Sequence, residues 1–278
     1  MITDTIQNIT DEELDSINQA LTSRYGVDFT GYESSSIKRR ITRIIHKYNL
    51  VDVMGLWKRL LYDHAFVIQF KDEISVGLTE MFRNPELWIY LRDKYLPTIA
   101  HKSNISVLHA GCSTGEEYYT MAILMHELNL LSKTSFHVID LSDRFVEATQ
   151  LGVYENDLLN QYNKNYLEFN PGSDLHFYFT KTSNGYKAND FLKQNVSFYA
   201  SNLVSDTLFE SFDIIFCRNV MIYFNDPLKM KVLEKFSRYL NNKGVLIIGY
   251  YDAMPSAYDK YFDYYDPSFK IFKPLNSK

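Results

Sequence analysis

The sequence predicts an α/β fold: a mostly parallel sheet with helices on both faces, preceded by a small all-helical domain. Three observations predict it. From residue 105 onward, short apolar runs of strand length alternate with amphipathic segments of helix length. Before about residue 105 there is no strand pattern, and apolar residues recur at helical spacing. With 278 residues and 46% apolar content, the chain can fill one large core and a smaller one. The boundaries expected are 1–75 for the helical domain and 76–278 for the α/β domain, with a small β flap inserted at about 155–195.

The helical part begins at Thr10-Asp11-Glu12-Glu13, a capping-box sequence. Leu14, Ile17, Leu21 and Tyr25 follow on one face, and Gly26 is a stop signal. A second helix is predicted over 35–49 with the apolar stripe Ile37, Ile41, Ile44, Ile45 and Tyr48. At ~100° per residue, Arg39, Arg40, Arg43 and Lys47 fall on its opposite side. No acidic residue lies between Ser34 and Val51. Such a face is either ordinary solvated surface or a docking surface for an acidic helical partner. An acid-free basic run in a chain of net charge −5 favours docking. Further helices are expected over 53–61 and 65–74. Asn84 is expected to cap a helix that Pro85 opens and that runs through Tyr95, leaving Arg83 just before its start.

The α/β part opens with strand 105–110, the turn Gly111-Cys112-Ser113-Thr114-Gly115 and a helix over about 115–130. A strand feeding a helix through glycines brings backbone N–H groups and the positive helix end close to a ligand. Here the helix starts with Glu116 and Glu117 and no basic residue. The spacing is G-x-x-x-G, not G-x-G-x-x-G, and the phosphate-loop lysine is absent. These features fit the cationic sulfonium of S-adenosylmethionine better than NAD or ATP; the competing reading is a plain strand-to-helix turn. Strand 135–140 ends in Asp140, whose carboxylate can accept both ribose hydroxyls of a nucleoside, although Asp is also a common helix cap. Helix 142–151, strand 196–201, strand 212–217, a helix from Asp226-Pro227 to Leu240 and strand 244–250 complete the alternation. Within the insert, Asn184-Gly185 signals a hairpin between Leu175–Thr180 and the segment from Tyr186. Arg218 and Asn219 close the 212–217 strand at its carboxyl end, with Tyr223 close behind.

Composition narrows the function classes. The acidic net charge argues against nucleic-acid binding. Cys112 and Cys217 both sit at ends of predicted strands, as apolar fillers in a reducing compartment. The seven histidines have no ligand-like spacing, so no metal site is expected. No apolar run reaches the ~18 residues of a membrane span. Met1-Ile2-Thr3-Asp4 lacks the pattern of a leader, which points to a cytoplasmic, non-inserted protein.

With these pieces assembled the sequence resembles the bacterial chemotaxis-receptor glutamate methyltransferases, the CheR family. The likeness rests on Leu78-Thr79-Glu80-Met81-Phe82-Arg83, on Ala110 through Glu117, on Gly152-Val153-Tyr154, and on the long run Phe212 through Phe224. It implies a Rossmann-like S-adenosylmethionine-dependent methyltransferase domain that esterifies glutamates of methyl-accepting chemotaxis receptors, releasing S-adenosylhomocysteine. Carried onto matching positions, Thr79 and Arg83 would contact the methionine end and the reacting carboxylate. Glu116 and Glu117, in the turn opened by Gly111, would hold the amino-acid part, and Asp140 the ribose. Asn202 and Leu203 would flank the adenine, Asn219 and Val220 would close the site, and Tyr223 would stand near the acceptor. Arg83 and Tyr223 are the expected catalytic pair. The family usually has Asn at Gly77, Pro at Tyr118, an acidic residue at Ser142 and Gly-His-Ser-Glu at Gly249-Tyr250-Tyr251-Asp252. These departures keep two rivals open: a cofactor-binding sensory module without turnover, and a methyltransferase for another acceptor. The single glycine of the flap, Gly185, argues against tethering to a receptor's C-terminal peptide.

Overall fold

The computed structural model describes residues 9–208 and 210–275. The four residues read for a leader, Met1–Asp4, lie outside this range. The helical part comprises α1 (Asp11–Tyr25), α2 (Ser34–Lys47), α3 (Val53–Tyr62) and α4 (His64–Ile74). Three of its four helix starts, those of α1, α3 and α4, are set by local side-chain hydrogen bonds. Thr10 and Glu13 form the reciprocal capping box, Asp52 Oδ1 accepts from Gly55 N–H at 2.8 Å, and Asp63 Oδ1 from Phe66 N–H at 3.0 Å. Gly26 ends α1 at φ 68°, where a side chain would be strained. Leu14, Ile17 and Leu21 of α1 pack with Ile37, Ile41, Ile44 and Ile45 of α2 and with Leu56, Leu60, Phe66 and Phe70 in a core of their own. One expected surface residue departs: Arg40 is 6% exposed, while Arg39, Arg43 and Lys47 are exposed. Its side chain turns inward beside the apolar stripe because the carbonyl of Ile74 and a ring of the α/β part receive it.

After α4 come α5 (Pro85–Tyr90), a π-helical turn (Leu91–Tyr95) and α6 (Leu96–Ile99). The alternation then reads β1 (Ile105–Ala110), α7 (Glu116–Glu127), β2 (Thr134–Asp140), α8 (Asp143–Leu151), β3 (Val153–Tyr154) and α9 (Asn156–Phe169). It continues with β4 (Phe179–Thr182), β5 (Gly185–Ala188), β6 (Val196–Ala200), β7 (Phe212–Cys217), α10 (Asp226–Tyr239), β8 (Leu240–Ile248), β9 (Phe262–Asp266) and β10 (Ile271–Pro274). Seven strands form one sheet in the order β6-β2-β1-β7-β8-β10-β9. The first five run parallel, and β10 and β9 add an antiparallel edge. β1 and β7 are buried along their whole length, as expected for strands covered on both faces.

Two parts of the expected order change. The insert is not wholly irregular: α9 fills its first half, burying Leu159, Tyr162, Tyr166 and Phe169. The flap is the three-stranded antiparallel sheet β3-β5-β4, and residues 175–178 form a 3-10 turn in place of strand. The C-terminal hairpin β9–β10 was not anticipated.

The helical part is joined to the sheet by backbone pairing. Tyr32 and Phe224 form an antiparallel bridge, Glu33 N–H donates to the Tyr223 carbonyl at 2.8 Å, and Asn225 N–H to the Gly31 carbonyl at 2.9 Å. A Cβ on Gly31 would meet Leu228 Cδ2 at 2.7 Å, so this approach needs glycine.

Candidate active site

Strand order reverses between β1 and β7, which leaves a crevice at the carboxyl ends of the central strands. A cavity of about 380 Å³ lies there. One wall comes from the turns after β1, β2 and β7 and from the loop after β6, the other from segment 74–83 and the inner side of α2. Gly111 makes the turn after β1 possible. Its φ is +83°, and a Cβ would stand 2.4 Å from Val220 Cγ2. The N–H groups of Gly111 and Cys112 both donate to the Ile139 carbonyl, tying the β1 turn to β2.

Asp140 sits where the two turns meet. Oδ2 accepts from Ser113 N–H at 2.9 Å and Oδ1 from Ser142 N–H at 3.0 Å. Burial pushes its carboxyl above the ordinary range, against the pull of those N–H groups. The cap of α8 is Ser142, whose Oγ accepts from Phe145 N–H at 3.2 Å, so the cap role does not compete for Asp140.

Glu117 is the anchored anion of the cavity. His109 Nδ1–H donates to Oε1 at 3.0 Å and Arg218 Nη1 to Oε2 at 3.2 Å. Burial acts to raise its pKa, but the His109 hydrogen bond and the Arg218 charge hold it below the usual carboxylate value. Glu116 departs from expectation. It does not line the cavity; its carboxylate is buried, accepting from Thr114 Oγ1 at 2.7 Å and Tyr162 OH at 3.1 Å, with its pKa raised by burial. Consecutive helical residues point ~100° apart, so only one of the two carboxylates can face the ligand.

Arg218, expected from the sequence at the strand end where substrate and cofactor meet but without a named partner, proves to be the hub. Its Nη2 donates to the Arg83 carbonyl at 3.2 Å and to Asn84 Oδ1 at 2.8 Å, while Nη1 holds Glu117. The Asn84 side chain therefore serves Arg218 and does not cap α5, and its backbone is left-handed at φ 59°. Phe82 is left-handed too, at φ 53°. Arg83 stands between these two unusual residues, each costing about 1–2 kcal/mol, so surrounding contacts must fix its backbone. Its own guanidinium lines the cavity and has no ion pair or hydrogen bond among the described residues.

Asp252 fixes the opposite rim. Its Oδ2 accepts from Asn219 N–H at 2.6 Å and Gly249 N–H at 2.7 Å, and Oδ1 from Ile222 N–H at 2.9 Å. It thereby shapes the turn that carries Asn219, Val220 and Tyr223. Thr79, Arg83, Gly111, Glu117, Asp140, Asn202, Leu203, Asn219, Val220 and Tyr223 all line the one cavity. The departure at Gly77 has a steric reason: a Cβ there would meet Phe145 Cζ at 2.8 Å.

Residues 77–268 match the family described as CheR methyltransferase, SAM binding domain, and residues 12–75 match CheR methyltransferase, all-alpha domain. The chain belongs to the CheR methyltransferase family. It is 32% identical over 260 residues to putative methyltransferase Cher3 of Pseudomonas putida, covering 93% of this chain and 95% of that protein. It is 29% identical over 262 residues to a chemotaxis protein methyltransferase of Vibrio parahaemolyticus, covering 91% and 93%. A probable biofilm formation methyltransferase, WspC of Pseudomonas aeruginosa, is 30% identical over 243 residues, 84% of this chain and 56% of that one. The cofactor of this CheR-family protein is S-adenosylmethionine. The cavity fits it: the Gly111 turn leaves room for close backbone approach, Glu117 offers a fixed negative charge, and Ser113 Oγ is buried with no partner among the described residues. Among the described residues, no helix is long and apolar enough to cross a membrane.

Proposed function

We propose that this protein esterifies glutamate side chains of chemotaxis receptors with the methyl group of S-adenosylmethionine. The observation that carries the reading is Arg83, a cavity-wall residue whose guanidinium makes no ion pair or hydrogen bond among the described residues. Arg218 is used up by Glu117 and the Arg83–Asn84 backbone and side chain. A carboxylate acceptor is the group that complements Arg83, and a planar guanidinium can hold it in a defined plane.

Within this reading Glu117 binds the amino-acid end of the cofactor, Asp140 the ribose, Asn202 and Leu203 the adenine, and Thr79, Asn219 and Val220 close over the methionine. The lone pairs of Asp140 not taken by Ser113 and Ser142 remain for hydroxyls. Bound S-adenosylmethionine supplies an electrophilic methyl on a sulfonium. The chain's task is then to desolvate and aim a nucleophile that is already ionised, since a free Glu has pKa ~4.3. No general base is needed. Arg83 and the Tyr223 hydroxyl orient the acceptor oxygens. The retained carboxylate at Asp252 supports turnover over a merely binding role, because it keeps the Asn219–Tyr223 turn in shape without the family's usual Glu.

Domain 1–75 serves acceptor docking in this reading, and 76–278 the transfer. The docking face is Arg39, Arg43 and Lys47. Arg40 is withdrawn from it, and Lys47 is partly engaged by Glu73 at 2.5 Å. The acceptor is an acidic helical segment. Labelled S-adenosylmethionine with receptor-bearing membranes tests the proposal: label should enter protein and leave as methanol in base. Base-stable label, or none, would reject it.

A further inference from the structure

Arg40 is a buried cation with an unusual neighbour. Its Nη1 donates to the Ile74 carbonyl at 2.5 Å, and its Cζ lies 4.3 Å from the centroid of the Tyr223 ring. Both side chains line the cavity. Tyr223 is held from the same side through its backbone, by the N–H of Glu33, and its neighbour Phe224 packs on Tyr32 with ring centroids 4.9 Å apart. The helical part thus grips the residue expected to touch the acceptor at both main chain and ring.

Burial disfavours the charge and lowers the Arg40 pKa, with the adjacent Arg43 and Arg39 adding to this and Tyr223 and Tyr32 opposing it. An apolar chain of similar length would fill the same space without that cost. What the guanidinium adds is its hydrogen bond to the Ile74 carbonyl and its hold on the Tyr223 ring, and only the second depends on Tyr223. A guanidinium over a phenol face is attracted to it, fixes its plane and makes the hydroxyl a better hydrogen-bond donor.

We propose that Arg40 is a positioning residue for methyl transfer: it clamps the Tyr223 ring so that the hydroxyl meets the acceptor carboxylate. The helical domain then completes the acceptor half of the active site as well as docking the partner. This rests on the glutamate-esterification reading above.

The test is a double-mutant cycle with Arg40→Met, Arg40→Lys and Tyr223→Phe, singly and combined, on receptor membranes at saturating S-adenosylmethionine. Arg40→Met should lower kcat about ten- to thirtyfold, the range of a desolvated cation–ring contact. KM for receptor and affinity for S-adenosylhomocysteine should change less than about twofold. Arg40→Lys should recover part of the loss. In the Tyr223→Phe background the Arg40 substitutions should cost little. Equal losses in both backgrounds, a loss confined to KM or cofactor affinity, or no loss at all would overturn the inference. Melting temperatures identify a misfolded Arg40→Met, and the cycle with Arg40→Lys then decides by the same criterion. Absence of base-labile methyl transfer by the native protein would overturn the underlying reading instead.

Discussion

Asp252 ties the turn after β7 to the turn after β8 through three N–H groups on one carboxylate, and replacing it with Asn separates its charge from its shape. An amide has one acceptor oxygen. Placed where Oδ2 stands, it keeps the N–H groups of Asn219 and Gly249 and turns its NH₂ toward the N–H of Ile222. An unpaired buried donor costs about 1–3 kcal/mol, and the two remaining hydrogen bonds weaken by roughly half on losing the charge. The replacement also removes burial of a charge, which is what raises the Asp252 pKa and offsets part of the loss. A net destabilisation of about 2–3 kcal/mol follows, and at ~2–4 °C per kcal/mol for a chain of this size the melting temperature should fall by about 5–10 °C. The turn bearing Asn219, Val220 and Tyr223 should loosen with it. Calorimetric affinity for S-adenosylhomocysteine should drop several-fold, and kcat more. Thermal denaturation by circular dichroism and titration calorimetry measure both effects. An Asp252→Asn protein that melts within 1–2 °C of native and binds S-adenosylhomocysteine unchanged would refute the role given to this carboxylate.

Arg83→Lys keeps the charge but loses the planar fork, and a misplacement of ~1 Å costs ~100-fold, so kcat should fall about that much in receptor methylation assays with cofactor affinity nearly constant. The exposed pair Arg39 and Arg43, reversed together to Glu, should raise KM for receptor at low salt; the effect should shrink above ~0.1 M salt, where exposed charges are screened beyond ~10 Å. Glu117 titrates below its ordinary value of 4.5, so its stabilising contribution is complete above that pH and is lost as pH falls through the depressed value. Glu117→Gln should therefore be less stable than native at neutral pH in urea titrations, and the gap should close in acid.

Much of this architecture was legible because strand and helix periods are local. The capping box at Thr10, the turn opened by Gly111 and the strand ending in Asp140 were read from short stretches and stand where expected. The amphipathic pattern of α2 was also right, yet it misplaced Arg40: at ~100° per residue Arg40 lies only about 40° from Ile44, on the flank of the apolar stripe, and the Tyr223 ring that receives it comes from far along the chain. Likewise two adjacent glutamates looked equivalent until the helix directed Glu117 to the cavity and Glu116 to Tyr162. The reach of Arg218 to Asn84 and of Asp252 to Ile222 spans 134 and 30 residues, beyond any periodicity argument. Asn84 read as a cap for the same reason: its competing partner lies far along the chain. The α9 helix was missed because its polar and aromatic residues, Asn156 through Phe169, resemble irregular insert until the aromatic side is seen to pack inward.

The chemistry of the product decides whether glutamate side chains are esterified. Receptor-bearing membranes incubated with the native protein and methyl-labelled S-adenosylmethionine should carry label on protein that mild base releases as volatile methanol, and mass spectrometry of the peptides should place it on glutamate side chains. Label that survives base, or that sits on residues other than glutamate, would contradict glutamate esterification.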